Sequence, residues 1–131
     1  MQFSIPPWYY NNRTTVEVNK ICKKYVDLHE SLVFPILKKY AKLATETGEP
    51  IIRALWWVDN SDSNTYLIDD QFLVGNDILV APIVDENTYQ RDIYLPLGSW
   101  IYTNGTEYKG PTRLTSFPAP IDILPYFIKK I

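Results

Sequence analysis

The sequence predicts an α/β segment followed by a small all-β domain. Three observations carry that expectation. Residues 15–47 contain no Gly and a single Pro, and their apolar residues recur at helical spacing. Ile51–Val58 is a nearly continuous apolar run, the pattern of a strand buried on both faces as in parallel sheets. The rest of the chain is rich in β-branched and aromatic residues separated by turn formers, which suits a small antiparallel sheet or sandwich.

The elements follow in order. Met1–Trp8 reads as a short strand stopped by Pro6-Pro7, because proline lacks the ladder donor. Residues 9–13 form a loop. Thr14 and Glu17 have capping-box spacing and predict a helix start. Val18, Ile21, Cys22, Tyr25, Leu28, Leu32, Val33, Ile36, Leu37, Tyr40, Ala41 and Ala44 then mark one helix face, with most lysines off it. Pro35 is expected to kink or split that helix, and Gly48 to cap it in a left-handed conformation. After Ile51–Val58 and a polar loop at 59–64, a second buried strand is expected over Leu79–Val84. Short strands are expected over Arg91–Leu95, Trp100–Thr103, Thr106–Tyr108, Arg113–Ser116 and Ile123–Ile128. Asn104-Gly105 is the strongest hairpin signal among them.

Composition excludes several function classes. The 131 residues carry 13 Lys+Arg against 15 Asp+Glu, a net charge of −2, too little positive charge to neutralise a row of phosphates. Nineteen aromatics (four Trp, ten Tyr, five Phe) exclude a disordered chain. One cysteine, Cys22, forbids an internal disulfide framework and a cysteine-based zinc cage. No run of about 18 apolar residues predicts a membrane span, and the first residues lack the basic and apolar regions of a signal peptide.

Residues able to do chemistry are few. His29 stands alone, without partners at metal-ligand spacing, and reads as a helix-surface or half-buried packing residue. Cys22 lies on the apolar helix face and reads as inert. Asp69-Asp70 is a carboxylate pair, but adjacent residues of an extended segment point opposite ways. One of them is expected to cap a turn or to pair with a base such as Arg53. Asp59, Asp62, Asp77 and Asp85 stand beside turn signals and read as turn formers. Trp56 and Trp57 end the buried strand, where ligand sites of parallel barrels lie. Strand alternation allows at most one of them to line a pocket. No nucleophile elbow, phosphate-binding loop or dinucleotide fingerprint occurs. Asn12-Arg13-Thr14 and Asn104-Gly105-Thr106 are glycosylation sequons in expected turns, so Asn12 and Asn104 are candidate acceptors.

Four segments resemble glycoside hydrolase family 31, in chain order. Glu49–Trp57 resembles that family's last barrel strand. Asp69–Ile83 is similar to its D-x-Q-F-x-x-G-x-x-x-L-V-A-P segment. Arg91–Trp100 carries its Y-L-P-x-G-x-W motif, and Leu124–Ile128 resembles its closing strand. The resemblance implies a fold: the C-terminal end of a (β/α)8 barrel over residues 1–77, then a proximal antiparallel β-sandwich domain over 78–131. A whole barrel takes about 250 residues, so the chain would supply roughly the seventh strand onward. The implied activity is retaining α-glycoside hydrolysis, with an Asp nucleophile and an Asp acid/base about 5–5.5 Å apart. Both would precede Met1; no carboxylate of this chain matches either, and the chain by itself is expected to be inactive. One branch of the family, which shares the look of Met1–Trp8 and of Trp56-Trp57, implies α-galactosidase activity in the endoplasmic reticulum lumen. That branch usually reads Pro at Ala54. Ser4 aligns about where many relatives place a sugar-contacting His, so the resemblance implies Ser4 as the first substrate-binding candidate, with Trp8 and Trp57 as further candidates for the pocket rim. The implied partners are an α-linked carbohydrate and the missing part of the barrel, with no cofactor, metal or nucleic acid. The competing expectation is a non-catalytic carbohydrate-binding or structural β module with a helical arm.

Overall fold

The computed structural model describes the backbone of residues 13–130 and the side chains of residues 17–130. The expected strand Met1–Trp8, with Ser4 and Trp8, and the sequon residue Asn12 lie outside the described residues.

Helix α1 (Arg13–Leu28) and helix α2 (Phe34–Thr47) are joined by one π turn, His29–Val33. Thr14 has helical backbone together with Arg13, so it stands inside the first turn and not at its N-cap. Pro35 neither splits nor ends the helix. The Phe34 N–H bonds to the His29 carbonyl, five residues back, and the backbone stays helical through Val33 and Phe34. The wider turn makes room where a proline ring would otherwise meet the preceding turn's carbonyl. Gly48 ends α2 in the left-handed region (φ 77°), its N–H bonded to the Ala44 carbonyl. Among the described residues no helix is long and apolar enough to cross a membrane.

Six strands follow: β1 (Ile52–Arg53), β2 (Phe72–Val74), β3 (Ile78–Val80), β4 (Gln90–Tyr102), β5 (Glu107–Pro118) and β6 (Tyr126–Lys129). They form one sheet in the order β1-β2-β3-β6-β4-β5, antiparallel throughout. The expected barrel end is therefore absent from the described residues. Ile51–Val58 is not a long parallel strand: only Ile52 and Arg53 pair, with Val74 and Leu73, and Leu55–Trp57 is a 3-10 turn. Its apolar continuity does not reflect two covered faces, because Ile52, Trp56 and Trp57 are exposed while Leu55 is buried. β2 is a strand beyond those the sequence predicts; its three residues form a hairpin with β3, so the sheet runs without a break through position 77, the expected domain boundary.

The expected sandwich is instead a single sheet that curls on itself. Leu73 of β2, Leu79 of β3, Phe127 of β6 and Ile93, Leu95 and Trp100 of β4 share one core. The curl brings Gln71, just before β2, against β4, three places away in strand order. The Gln71 side-chain amide donates to the Tyr94 carbonyl and accepts from the Tyr94 N–H, both at 2.9 Å. A side chain thus satisfies a stretch of β4 edge that no strand among the described residues covers, as buried backbone groups require.

Four of the expected short strands merge into two long ones. β4 keeps Pro96 by bulging: register shifts fall between Arg91 and Ile93 and between Leu95 and Gly98. Trp100 folds back there, its indole N–H bonding to the Pro96 carbonyl at 2.8 Å. β5 tolerates Pro111 as the edge strand. The hairpin at Asn104-Gly105 forms, but as a three-residue loop with Gly105 at φ 86°, closed by Gly105 N–H to Tyr102 O and Tyr102 N–H to Thr106 O.

The helix covers the outer face of the short strands. Val74, Ile78 and Val80 are buried there against Leu32, Val33, Ile36 and Leu37. Tyr25 straps α1 to the segment before β6: its hydroxyl donates to the Asp122 carbonyl and accepts from the Leu124 N–H.

Candidate functional site

β1 is an edge strand that leads into the 3-10 turn Leu55–Trp57. Leu55 is fully buried and anchors the turn. A 3-10 turn advances about 120° per residue, so Trp56 and Trp57 need not point opposite ways as strand neighbours do. Both rings are exposed, 42% and 36%, with centroids 5.8 Å apart and planes tilted by 44°. With Val58, Asp59 and Asn60 they line a shallow depression of about 460 Å³. The expectation that only one Trp could line a pocket is corrected: the turn replaces the strand that would have separated them. Flat apolar rings with a polar rim suit an amphipathic ligand or a packed partner.

Arg53 supports this surface from beneath. Its side chain is almost wholly buried and all of its polar groups are used. It donates from Nε to the Pro50 carbonyl, from Nη1 to Asn76 Oδ1 and from Nη2 to Glu49 Oε2, each at 2.8 Å. Its guanidinium also lies 5.2 Å from the Trp57 ring centroid and 5.0 Å from that of Tyr40. The expected partner of Arg53, a carboxylate of the Asp69-Asp70 pair, is not there.

Asp70 instead pairs with Arg91 at 2.7 Å, and Arg91 Nη1 further donates to the Asp70 and Pro82 carbonyls. Asp69 is exposed. The two carboxylates serve no common site. The turn-forming role expected of Asp59 and Asp62 is seen: Asp59 Oδ1 accepts from the Ser61 N–H and hydroxyl, and Asp62 caps Ser63–Thr65 through the Asn64 N–H. Asp62 also accepts from the Tyr94 hydroxyl at 2.6 Å. That bond holds the Asp62 carboxyl below its usual range, while burial first and Asp62 second push the Tyr94 phenol up.

Several residues quoted only as motif letters acquire physical roles. Gly75 sits at φ 56° in the β2–β3 turn, its N–H on the Ile51 carbonyl at 2.7 Å. A Cβ there would lie 1.9 Å from the Tyr40 ring, so only glycine fits both the backbone and the ring. Tyr40 also donates to Asp77 Oδ1, and Lys39 to Asp77 Oδ2 at 2.8 Å, a bond that raises the Lys39 pKa. Helix α2, β1 and the β2–β3 turn are thereby clamped together. Sequence reasoning missed this clamp; the polar Asn76-Asp77 after Gly75 was its one visible sign.

His29 lies half-exposed in the π turn, 3.6 Å from Glu30 Oε1, and Cys22 is half-buried, not fully packed as expected. Among the described residues no three His, Cys, Asp or Glu side chains cluster as metal ligands would. Asn104 lies exposed at the tip of the β4–β5 hairpin.

Comparison with known proteins gives this geometry its context. The model of the glycosyl hydrolase family 31 C-terminal domain matches residues 48–130. The chain is 44% identical over 128 residues to the myogenesis-regulating glycosidase of Mus musculus, covering 97% of this chain and 17% of that protein. It is 39% identical to the SITS-binding protein of Tetronarce californica, covering 99% of this chain and 19% of that one. A family 31 dextranase of Flavobacterium johnsoniae, solved with glucose, superposes with a TM-score of 0.85 at 40% identity, over 97% of this chain and 15% of its own. The chain thus spans less than a fifth of the length of these relatives. By the domain match and these identities, the chain belongs to glycosyl hydrolase family 31, whose C-terminal domain it carries over residues 48–130.

Proposed function

We propose that this chain is the C-terminal part of a larger retaining α-glycosidase and that it scaffolds the active site without supplying its catalytic carboxylates. The observation that carries this reading is the pairing of a complete core with an incomplete edge. Trp100, Phe127, Leu73 and Leu79 are sealed from solvent, yet among the described residues one edge of β1 is unpaired, beside exposed Ile52, Trp56 and Trp57. Exposed aromatics at a free edge suit a surface that another part of the protein covers. The partner that fits is the barrel part of the same enzyme, with Trp57 at the rim of the sugar pocket. Ser4 and Trp8 complete that rim in this reading. Hydrolysis would follow the two-carboxylate route through a covalent glycosyl-enzyme intermediate, with an Asp nucleophile and an Asp acid/base from the barrel. An α-galactoside is the proposed substrate and the endoplasmic reticulum lumen the proposed compartment.

The test is turnover of aryl α-galactosides and α-glucosides by the purified chain. None is expected, and release of aryl alcohol above a blank would refute the reading. The sealed core favours a second reading, a freestanding carbohydrate-binding or structural module with a helical arm. Such a binding module takes up oligosaccharide by itself. A scaffold binds none alone, because one wall of its pocket belongs to the barrel. Isothermal titration with isomalto- and galacto-oligosaccharides separates the two.

A further inference from the structure

The tip of the β4–β5 hairpin takes no part in the core, the Arg53 clamp or the aromatic face. Its sequence, Asn104-Gly105-Thr106, fits the acceptor pattern N-x-[S/T] with a non-proline residue in the middle. Its geometry suits a large substituent. Thr103 through Glu107 are all exposed. The loop is held by backbone bonds, Gly105 N–H to Tyr102 O and Tyr102 N–H to Thr106 O, each 2.9 Å. Asn104 Oδ1 accepts from the Thr106 N–H at 2.9 Å, so the oxygen of the amide is engaged by backbone and its nitrogen is the end left to carry a bond. A Cβ built on Gly105 meets nothing within 4 Å, so the space beside Gly105 is open.

We infer that Asn104 is an N-glycosylation site, its oligosaccharide projecting from the hairpin tip into solvent. The inference rests on the proposed passage through the secretory lumen. The donor class is a polyprenyl-pyrophosphate-linked oligosaccharide. A bond forms between Asn104 Nδ2 and the anomeric carbon of the first sugar. The bond from that carbon to the pyrophosphate oxygen breaks, and the pyrophosphate departs with the electron pair. One amide proton passes to base. No oxidant or reductant is needed. In the folded protein the Oδ1–Thr106 bond survives the change, because the new bond is to nitrogen. The glycan therefore extends the turn without unmaking it. Tyr102, where β4 enters the tip, is itself only half-buried.

The experiment translates the full chain behind a cleavable signal peptide in the presence of microsomes, with protease protection as the measure of lumenal entry. The protected chain is expected to show a mobility increment removed by an N-glycan endoglycosidase. Asn104→Gln and Thr106→Ala are each expected to abolish that increment; Thr106→Ser keeps it, and Asn12→Gln leaves the Asn104 increment in place. Thr106→Ala keeps the asparagine, so its loss of the increment cannot come from altering the acceptor side chain. A protected chain with no increment sensitive to Asn104→Gln overturns the inference, whether it is unmodified or modified only at Asn12. The natural protein, isolated from its own cells, judges the address separately. A glycan on the fused chain with none on the natural protein supports the acceptor and refutes the lumenal compartment.

Discussion

β2, β3 and β6 are only three or four residues long, yet most of their side chains are covered; β5 runs for 12 residues and covers one face. The short strands have two lids. Val74, Ile78 and Val80 lie under the π turn and α2, while Leu73, Leu79 and Phe127 point the other way into the curled core. In β5 the burial alternates residue by residue along most of its length, as a strand with one solvated face must. In Ile78–Val80 an unbroken apolar run reports two covers and says nothing of strand direction; Ile51–Val58, with Ile52, Trp56 and Trp57 exposed, shows that such a run need not report two covers at all. In this fold the second cover is a helix laid on an antiparallel sheet. The same pattern in parallel sheets comes from helices on both faces.

The comparison can be broken at the residue that belongs to both regions. Phe127 lies on β6, between the short strands and the hairpin, ringed by Tyr102, Tyr108 and Phe117 within 5.9 Å. Phe127→Ala is expected to lower unfolding stability by about 3–5 kcal/mol, read as a shift of the denaturant midpoint. A solvent-face truncation on β5, Lys109→Ala, should stay within about 0.5 kcal/mol. A small effect at Phe127 would mean that the two regions do not share a core.

The helix side is probed at Gly75. Gly75→Ala imposes both a left-handed backbone cost and a clash with the Tyr40 ring, together about 2–4 kcal/mol. The double variant Gly75→Ala with Tyr40→Ala should be less destabilised than the sum of the two singles, because removing the ring removes the clash. Strict additivity would contradict the clamp.

The hairpin side is probed at the seam where the sheet closes. Gln71→Leu leaves the Tyr94 N–H and carbonyl without the partners they have now. A loss of about 1–3 kcal/mol is expected, with faster amide exchange at Tyr94 than at its neighbours in β4. The smallest effect is electrostatic. Asp62 is held below the ordinary carboxylate range by the Tyr94 hydroxyl. Its ionised form favours the folded state, so the contribution is complete above the unfolded value near pH 4 and is lost as pH falls through the depressed folded value. Tyr94→Phe should move the Asp62 carboxyl upward in an NMR titration and make acid destabilisation shallower. An unmoved titration would show that the bond does not tune Asp62.

These regions were unequally legible in the sequence. The helix was readable because its face repeats at threes and fours, and Gly48 closed it where expected. The π turn was not, because nothing in His29–Val33 distinguishes a five-residue register from a four-residue one. The long β4 reads as two strands because Pro96 and Gly98 look like breaks; the bulge that keeps them in one strand carries the bond from the Trp100 indole to the Pro96 carbonyl, a contact local patterning does not encode. Ile51–Val58 misled because Trp56 and Trp57 count as apolar whether buried or presented. The family motifs were legible as letters long before their work was: Gln71 as a strand substitute and Gly75 as the seat of Tyr40 appear only when the sheet has curled.

The claim that these residues scaffold an α-glycosidase is tested most directly by transplantation. The chain replaces the corresponding 15% of the Flavobacterium dextranase, onto which it superposes with a TM-score of 0.85. Hydrolysis of an aryl α-glucoside is then measured for the chimera, for the truncated dextranase and for this chain alone. The account predicts turnover by the chimera and none by either part. A folded chimera without activity, or activity in this chain alone, would contradict it.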